Sequence, residues 1–162
     1  MLCPCGSAQT FALCCQPLIM ATKSANSPEQ LMRSRYSAYA TQQADYIYFT
    51  YAHSSQAEQS IDDIAQWAAT TKWLKLVIHY ASDHKKDLAK HNNAQVEFSA
   101  FYQLHGQIWQ MREKSNFVLE DTAWRYLDGE VSDSKTLNKP KRNESCFCGS
   151  EKKFKNCCAK VF

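Results

Sequence analysis

The spacing of hydrophobic residues changes midway along the chain. Up to residue 68, apolar side chains recur every three or four residues, as in helices that bury one face. From Trp73 onward they alternate with polar residues, which is typical of β-strands. Helices followed by a run of strands predict an α+β fold in which an antiparallel sheet curls over the helices.

Helix start signals place three helices. Ser27 suits the N-cap, Pro28 suits the first helical position, and Gln30 completes a capping box. A second helix is predicted over residues 45–49. A third is predicted after Ser60, where an acidic residue follows three positions later.

The strand pattern predicts which side chains share a face. On the first strand, one face is predicted to carry Leu74, Leu76, Ile78 and Tyr80, opposite Trp73, Lys75, Val77 and His79. On the next strand, the residues on one face are Val96, Phe98, Ala100 and Tyr102. A turn at residues 105–107 leads into a strand over 108–119, and the last strand is predicted to end at Asp128–Gly129.

The eight cysteines form two copies of one pattern, one near each end of the chain. The copies are Cys3, Cys5, Cys14 and Cys15, and Cys146, Cys148, Cys157 and Cys158. Each begins C-x-C-G-S and has eight residues between its second and third cysteines. Four thiolates are a common ligand set of tetrahedral structural Zn²⁺. The pattern predicts two zinc ions per chain, structural because no coordination position is left open.

Other uses of the cysteines fit less well. The N-terminus has neither a basic region nor a long apolar run, so the sequence predicts a cytoplasmic protein whose thiols stay reduced. No stretch reaches the roughly 18 apolar residues of a membrane span. A redox dithiol usually reads C-x-x-C, which is absent here. Iron–sulfur clusters also take four thiolates, but in ferredoxins the spacing differs from this one.

Charge distinguishes the two modules. Overall net charge is only +3, and residues 1–20 carry no charged side chain. The C-terminal module has one acid, Glu151, and four lysines at positions 152, 153, 155 and 160. These lysines either balance the negative zinc–thiolate centre or contact an acidic protein surface or phosphates. The predicted partner-binding residues are Lys152, Lys153, Phe154 and Lys155.

Residues 146–158 resemble the SEC-C motif, named for the zinc-binding tail of the SecA translocation ATPase. Glu151 stands where the motif usually has a second glycine, and Phe147 where proline is common; neither is a ligand. In SecA the tail docks on the SecB chaperone, so the resemblance implies an acidic protein partner. The first copy lacks every lysine of the motif.

The body between the modules is similar to the YchJ family. The similarity lies in residues 32–39, 113–117 and 124–129, which read MRSRYSAY, EKSNF and WRYLDG. In that family a cone of the nuclear transport factor 2-like type lies between two SEC-C motifs. The implied organisation is a SEC-C module at 1–20, an α+β cone at 27–131, a basic linker at 132–145 and a second module at 146–162.

Cones of this superfamily often enclose a pocket, and some relatives are isomerases, dehydratases or cyclases. The candidate pocket residues are Arg33, Arg35, Tyr36, Asp45, Glu113 and Trp124. Glu113 lies on an otherwise apolar strand face, so burial requires a partner for it. We favour a structural ion pair with Arg33 or Arg35 over a catalytic acid.

The preferred hypothesis is a non-enzymatic binding or adaptor protein whose zinc modules contact protein partners. The alternative is a small-molecule-binding protein or a lyase or isomerase that uses the cone pocket. Nucleic-acid binding by the basic C-terminal module is third. Because the modules are predicted to fold separately from the cone, Cys146→Ser is expected to unfold the C-terminal module alone.

Overall fold

The computed structural model describes residues 1–82 and 93–162, in which helices precede an antiparallel sheet. The helices are α1 (Gln16–Ile19), α2 (Pro28–Ala40), α3 (Ala44–Phe49), α4 (His53–Gln56) and α5 (Ile61–Thr70). The strands are β1 (Lys72–Ala81), β2 (Asn93–Leu104), β3 (Gln107–Glu120) and β4 (Ala123–Leu137), in the spatial order β1-β2-β3-β4. The predicted α+β class is confirmed. Within the described residues, no helix is long and apolar enough to cross a membrane.

The predicted helix starts are confirmed by their caps. The Ser27 hydroxyl accepts a hydrogen bond from the Gln30 amide at 3.1 Å, and the Gln30 side chain accepts one from the Asn26 amide at 2.6 Å. In the same way, the Ser60 hydroxyl accepts from the Asp63 amide at 3.3 Å. These side chains satisfy amides that a helix leaves without partners at its start.

The main core lies between α2 and the inner face of the sheet. Its buried members are Leu31, Met32, Tyr36, Leu76, Ala94, Val96, Phe98, Ala100, Phe117 and Trp124. The predicted inner face of β2 is therefore confirmed. In β1 the prediction fails at Trp73 and Leu74, because a register shift between Trp73 and Lys75 breaks the alternation. Trp73 packs toward the helices and Leu74 lies in a separate cluster on the other side of the sheet.

The predicted end of the last strand at Gly129 is wrong, since β4 continues to Leu137. Its second half pairs with β3 from Glu130, opposite Lys114, to Leu137, opposite Ile108. Most side chains there are polar and exposed, which is common on an edge strand. Backbone pairing stabilises this stretch without an alternating apolar pattern, so the first part of the predicted linker is strand.

Both cysteine modules pack against the body. The C-terminal module covers the outer face of the sheet, where its Phe154 and cysteines share a core with Leu74, Phe101 and Ile108. At the other end, Arg33 Nη1 of α2 donates to the Cys5 carbonyl at 2.9 Å. The C-terminal module and the sheet therefore bury one continuous apolar surface.

Because the C-terminal module and the sheet share this core, we no longer expect Cys146→Ser to affect the module alone. We expect the substitution to lower the melting temperature of the body by several degrees, because an unfolded module exposes Leu74, Phe101 and Ile108 to water. All four tryptophans, at positions 67, 73, 109 and 124, lie in the body, so their fluorescence reports its unfolding. Ser145→Ala, at an exposed neighbouring position, is the control. An unchanged body transition would show that the two parts unfold independently.

Candidate metal centres and cone pocket

Each set of four cysteines forms a compact sulfur cluster. Within each set all four Sγ atoms lie within 4.8 Å of one another, and none of the eight cysteines forms a disulfide. Neighbouring sulfurs are 3.6 Å apart for Cys5 and Cys14, and 3.5 Å for Cys148 and Cys157. Four sulfurs placed tetrahedrally at about 2.3 Å from one ion are about 3.8 Å from each other. The clusters thus fit a single tetrahedral metal ion each.

The two modules share one backbone frame. The amide of the first cysteine donates to Gln9 O at 2.8 Å in one module and to Lys152 O at 2.9 Å in the other. The motif glycines have φ of 79° and 74°, the left-handed region that glycine adopts without strain. Two residues later, Ala8 and Glu151 also have positive φ, of 62° and 59°. This geometry explains the second glycine of the SEC-C motif, which Glu151 replaces.

The motif serine has a direct role beside the metal ligands. The Ser7 hydroxyl lies 3.2 Å from Cys14 Sγ, and the Ser150 hydroxyl donates to Cys157 Sγ at the same distance. A donor at a ligand sulfur orients it and reduces its negative charge. The serine of C-x-C-G-S therefore supports the third cysteine in both modules.

Burial and hydrogen bonding oppose the ionisation of two sulfurs in the first cluster, those of Cys14 and Cys15. Hydrogen bonding from the Cys15 thiol lowers the pKa of Cys5 to about 4. The same hydrogen bond, together with burial, raises the pKa of Cys15, and burial raises the pKa of Cys14. In the second cluster burial raises the pKa of Cys158. A bound metal ion supplies the charge that makes all four ligands thiolates, so binding releases protons.

A cavity of about 300 Å³ lies between the helices and the inner face of the sheet. Its walls are mainly aromatic side chains and methionines, with two charged groups. The lining residues are Met32, Arg35, Tyr36, Tyr39, Tyr51, Trp67, Trp73, Phe98, Ala100, Met111, Glu113 and Tyr126. We refer to this cavity as the cone pocket.

Three of the six predicted pocket residues line the cone pocket, namely Arg35, Tyr36 and Glu113. The other three lie elsewhere. Arg33 and Arg35 are two residues apart on α2, so their side chains point in nearly opposite directions. Arg33 therefore faces away from the cone pocket and pairs with Glu29 at 2.8 Å. Asp45 is exposed in the first turn of α3, and Trp124 lines a separate cavity of about 250 Å³.

Most of the aromatic wall of the cone pocket was not among the predicted pocket residues. Tyr39, Tyr51, Trp67 and Tyr126 give no periodic signal that separates a pocket wall from a packed core. Tyr39 and Tyr126 could have been found, since they lie within the MRSRYSAY and WRYLDG segments.

The contacts that stabilise Glu113 differ from the predicted ion pair. Its Oε1 accepts hydrogen bonds from the Ser115 hydroxyl at 2.6 Å and from the Tyr126 hydroxyl at 2.8 Å. Among the described residues it has no ion pair with Arg33 or Arg35, so the predicted ion pair is wrong. Two hydroxyl donors take the place of a cation. Burial and the adjacent Glu113 carboxylate raise the pKa of Tyr126, so its hydroxyl stays protonated and donates.

Arg35 is held over the ring of Tyr126. Its Nη1 donates to the Ile47 carbonyl at 2.8 Å and to Thr50 Oγ1 at 2.6 Å. Its guanidinium carbon lies 4.4 Å from the ring centre of Tyr51 and 4.6 Å from that of Tyr126. Cation–π contact of this kind stabilises a charge with little access to water.

The three segments that resemble the YchJ family meet at this pocket. The first contributes Arg35, the second Glu113 with Ser115, and the third Tyr126 with Gly129. A Cβ atom at Gly129 would overlap the Glu113 carboxylate and lie 2.6 Å from the Tyr126 hydroxyl. Glycine at this position leaves the space that the buried carboxylate occupies.

Gly129→Ala is expected to destabilise the protein by about 1–3 kcal/mol, because the methyl group displaces Glu113 from its hydrogen bonds. Urea unfolding measures the change. In a Glu113→Ala background the same substitution meets no carboxylate and should cost clearly less. Equal costs in the two backgrounds would show that the Glu113 carboxylate does not require the glycine.

The fold and the cysteine clusters define a class: a nuclear transport factor 2-like body with a SEC-C motif at each end. Residues 27–129 match the family described as "YchJ, middle NTF2-like domain", and residues 2–17 and 142–160 match the SEC-C motif. The chain belongs to the YchJ family, whose curated relatives are called UPF0225 proteins.

Relatives of known sequence and structure cover nearly the same length. A UPF0225 protein of Photorhabdus laumondii is 42% identical over 97% of this chain and 98% of its own. One from Vibrio vulnificus is 38% identical over 96% of this chain and 97% of its own. The crystal structure of a SEC-C motif protein from Psychrobacter arcticus matches with a TM-score of 0.69 and 30% identity, over 99% of this chain and 96% of the other. A solution structure from Rhodopseudomonas palustris matches with a TM-score of 0.73 and 35% identity, over 82% of this chain and all of the other.

Proposed function

We propose that the chain is a non-enzymatic binding protein in which two zinc ions stabilise the end modules and the C-terminal module docks on an acidic protein partner. The observation that carries the docking proposal is a set of exposed lysines on a module that packs firmly on the sheet. Metal binding is the shared property of both modules; the identity of the metal and the docking role are our proposals.

Zinc fits the clusters better than an iron–sulfur centre. All four sulfurs of a cluster lie within 4.8 Å of each other, which leaves room for one ion and not for a cluster of several irons. Four protein ligands complete the tetrahedron, so no position remains for a reacting water. We also propose a cytoplasmic location, because a reducing compartment keeps thiols available as metal ligands.

We expect metal analysis of the purified protein to find two zinc ions per chain. Cys3→Ser and Cys146→Ser should each leave one, because each removes a ligand from one cluster only. Lowering the pH should release the metal, since each thiolate ligand becomes protonated and leaves the ion. An indicator dye that binds free zinc measures this release. A ratio of one zinc in the unsubstituted protein would contradict the proposal for one of the modules.

The docking surface consists of Lys152, Lys153 and Lys160, which are exposed. Within residues 1–82 and 93–162, no ion pair involves any of these lysines. Lys155 is half-buried at the side of this surface. Phe154, which the sequence analysis grouped with the lysines, is 4% exposed and belongs to the core under the module. The surface is therefore basic rather than aromatic, as suits an acidic protein face.

Charge reversal tests the docking surface. Lys152→Glu combined with Lys153→Glu should weaken capture of the partner from a bacterial lysate roughly tenfold, because it places like charges across the interface. Lys23→Glu combined with Lys114→Glu makes the same change in net charge at exposed positions elsewhere and should leave capture unchanged. Equal capture by both variants would refute the docking role. Loss of capture after nuclease treatment would favour nucleic acid as the partner instead.

The cone pocket supports a second candidate function, the binding of a small molecule. Its volume of about 300 Å³ lies at the lower end of the range for ligand sites, and its apolar walls with a few polar groups are typical of them. Binding and docking do not exclude each other, since the pocket lies on the inner side of the sheet and the lysine module on the outer side.

A further inference from the structure

We infer that the cone pocket binds a small carboxylate with an apolar, planar body, and that Arg35 is the residue that anchors the carboxylate. This inference rests on the proposal that the pocket binds a small molecule. It adds the chemical class of that molecule.

Arg35 has donors that no described residue accepts from. A guanidinium offers five N–H groups, and only Nη1 makes hydrogen bonds to described residues. Two hydrogen bonds and two tyrosine rings fix the group, so it would lose little freedom when it binds a ligand. The remaining donors on Nη2 and Nε form the edge that matches a carboxylate in two parallel hydrogen bonds.

Arg35 also lacks a direct counterion. Its side chain is buried, with 4% of the residue exposed, and no carboxylate among the described residues lies within 4.0 Å of it. A buried cation without a paired anion is costly, and a ligand carboxylate would supply the missing partner. Glu113 lines the same pocket, but its Oε1 is engaged by Ser115 and Tyr126.

The walls define the rest of the ligand. Trp67, Trp73 and Phe98 present aromatic surface, and Met32 and Met111 add flexible apolar groups that adapt to different shapes. Flat apolar groups stack well on such walls. Burial raises the pKa of Tyr36 as well as that of Tyr39, the latter to about 12, so both remain neutral and add no competing charge.

Phenylacetate is a suitable probe, with phenylacetamide as its neutral analogue and phenethylamine as a cationic one. The protein has four methionines, and ¹³C-methyl labelling makes each visible by NMR. Met32 and Met111 line the pocket, whereas Met1 and Met20 are exposed on the first module and serve as internal controls. Titration should shift the Met32 and Met111 signals in a saturable way and leave the other two unchanged.

We expect phenylacetamide to bind roughly tenfold to a hundredfold more weakly than phenylacetate, the effect of losing a hydrogen-bonded charge pair. Arg35→Gln should weaken phenylacetate to the level of the amide. Arg112→Gln is the matched control, because Arg112 pairs with Glu97 and lies outside the pocket lining.

Each alternative result has a distinct meaning. If the amide or the amine binds as tightly as the acid, the pocket binds small molecules but the carboxylate class is wrong. If none of the three probes shifts Met32 or Met111 at millimolar concentration, both the inference and the pocket proposal are overturned. If Arg35→Gln does not fold, the comparison of acid and amide on the unsubstituted protein still decides the question.

Discussion

Tyr126 joins strand β4 to the helices and contacts both charged groups of the cone pocket. Its amide donates to Thr50 O at 2.9 Å and its carbonyl accepts from Ala52 at 2.7 Å, which joins β4 to the chain after α3. Its ring contacts the Arg35 guanidinium, and its hydroxyl donates to Glu113. One side chain thus accommodates two buried charges of opposite sign without bringing them into contact. The arrangement leaves the cone pocket between helix and sheet, where a packed core would otherwise form.

The two cysteine modules have matching sulfur clusters and differ in how they join the body. The first contacts α2 through a polar contact, in which Arg33 donates to the Cys5 carbonyl, and through Ile19, which packs against the body cluster that includes Ala38 and Ile47. The second contributes apolar residues, including Phe154, to a core on the outer face of the sheet. Segments this short bury little apolar surface alone, so both metal binding and attachment stabilise them. Attachment also holds the lysines of the second module in a fixed orientation.

Much of the fold was predictable because its signals are local. Capping at Ser27 and Ser60 depends on residues three positions away, and the inner face of β2 follows from simple alternation. The errors occur where distant backbone pairing decides the structure. The irregularity near Trp73 depends on the register with β2, and the second half of β4 depends on β3 as its partner. The spacing of apolar residues within a strand does not show which strand it pairs with or in which register.

The same distinction applies to the sites. The sequence by itself determined the two clusters of four cysteines that could hold metal ions, because each set lies within 13 residues and such a cluster needs only the right donors at the right spacing. Only the tertiary structure decided that Arg35 and Glu113 share a pocket while Arg33, Asp45 and Trp124 do not. The reason is physical: side-chain direction on a helix and packing between remote strands decide which buried charges meet, and both depend on the assembled fold.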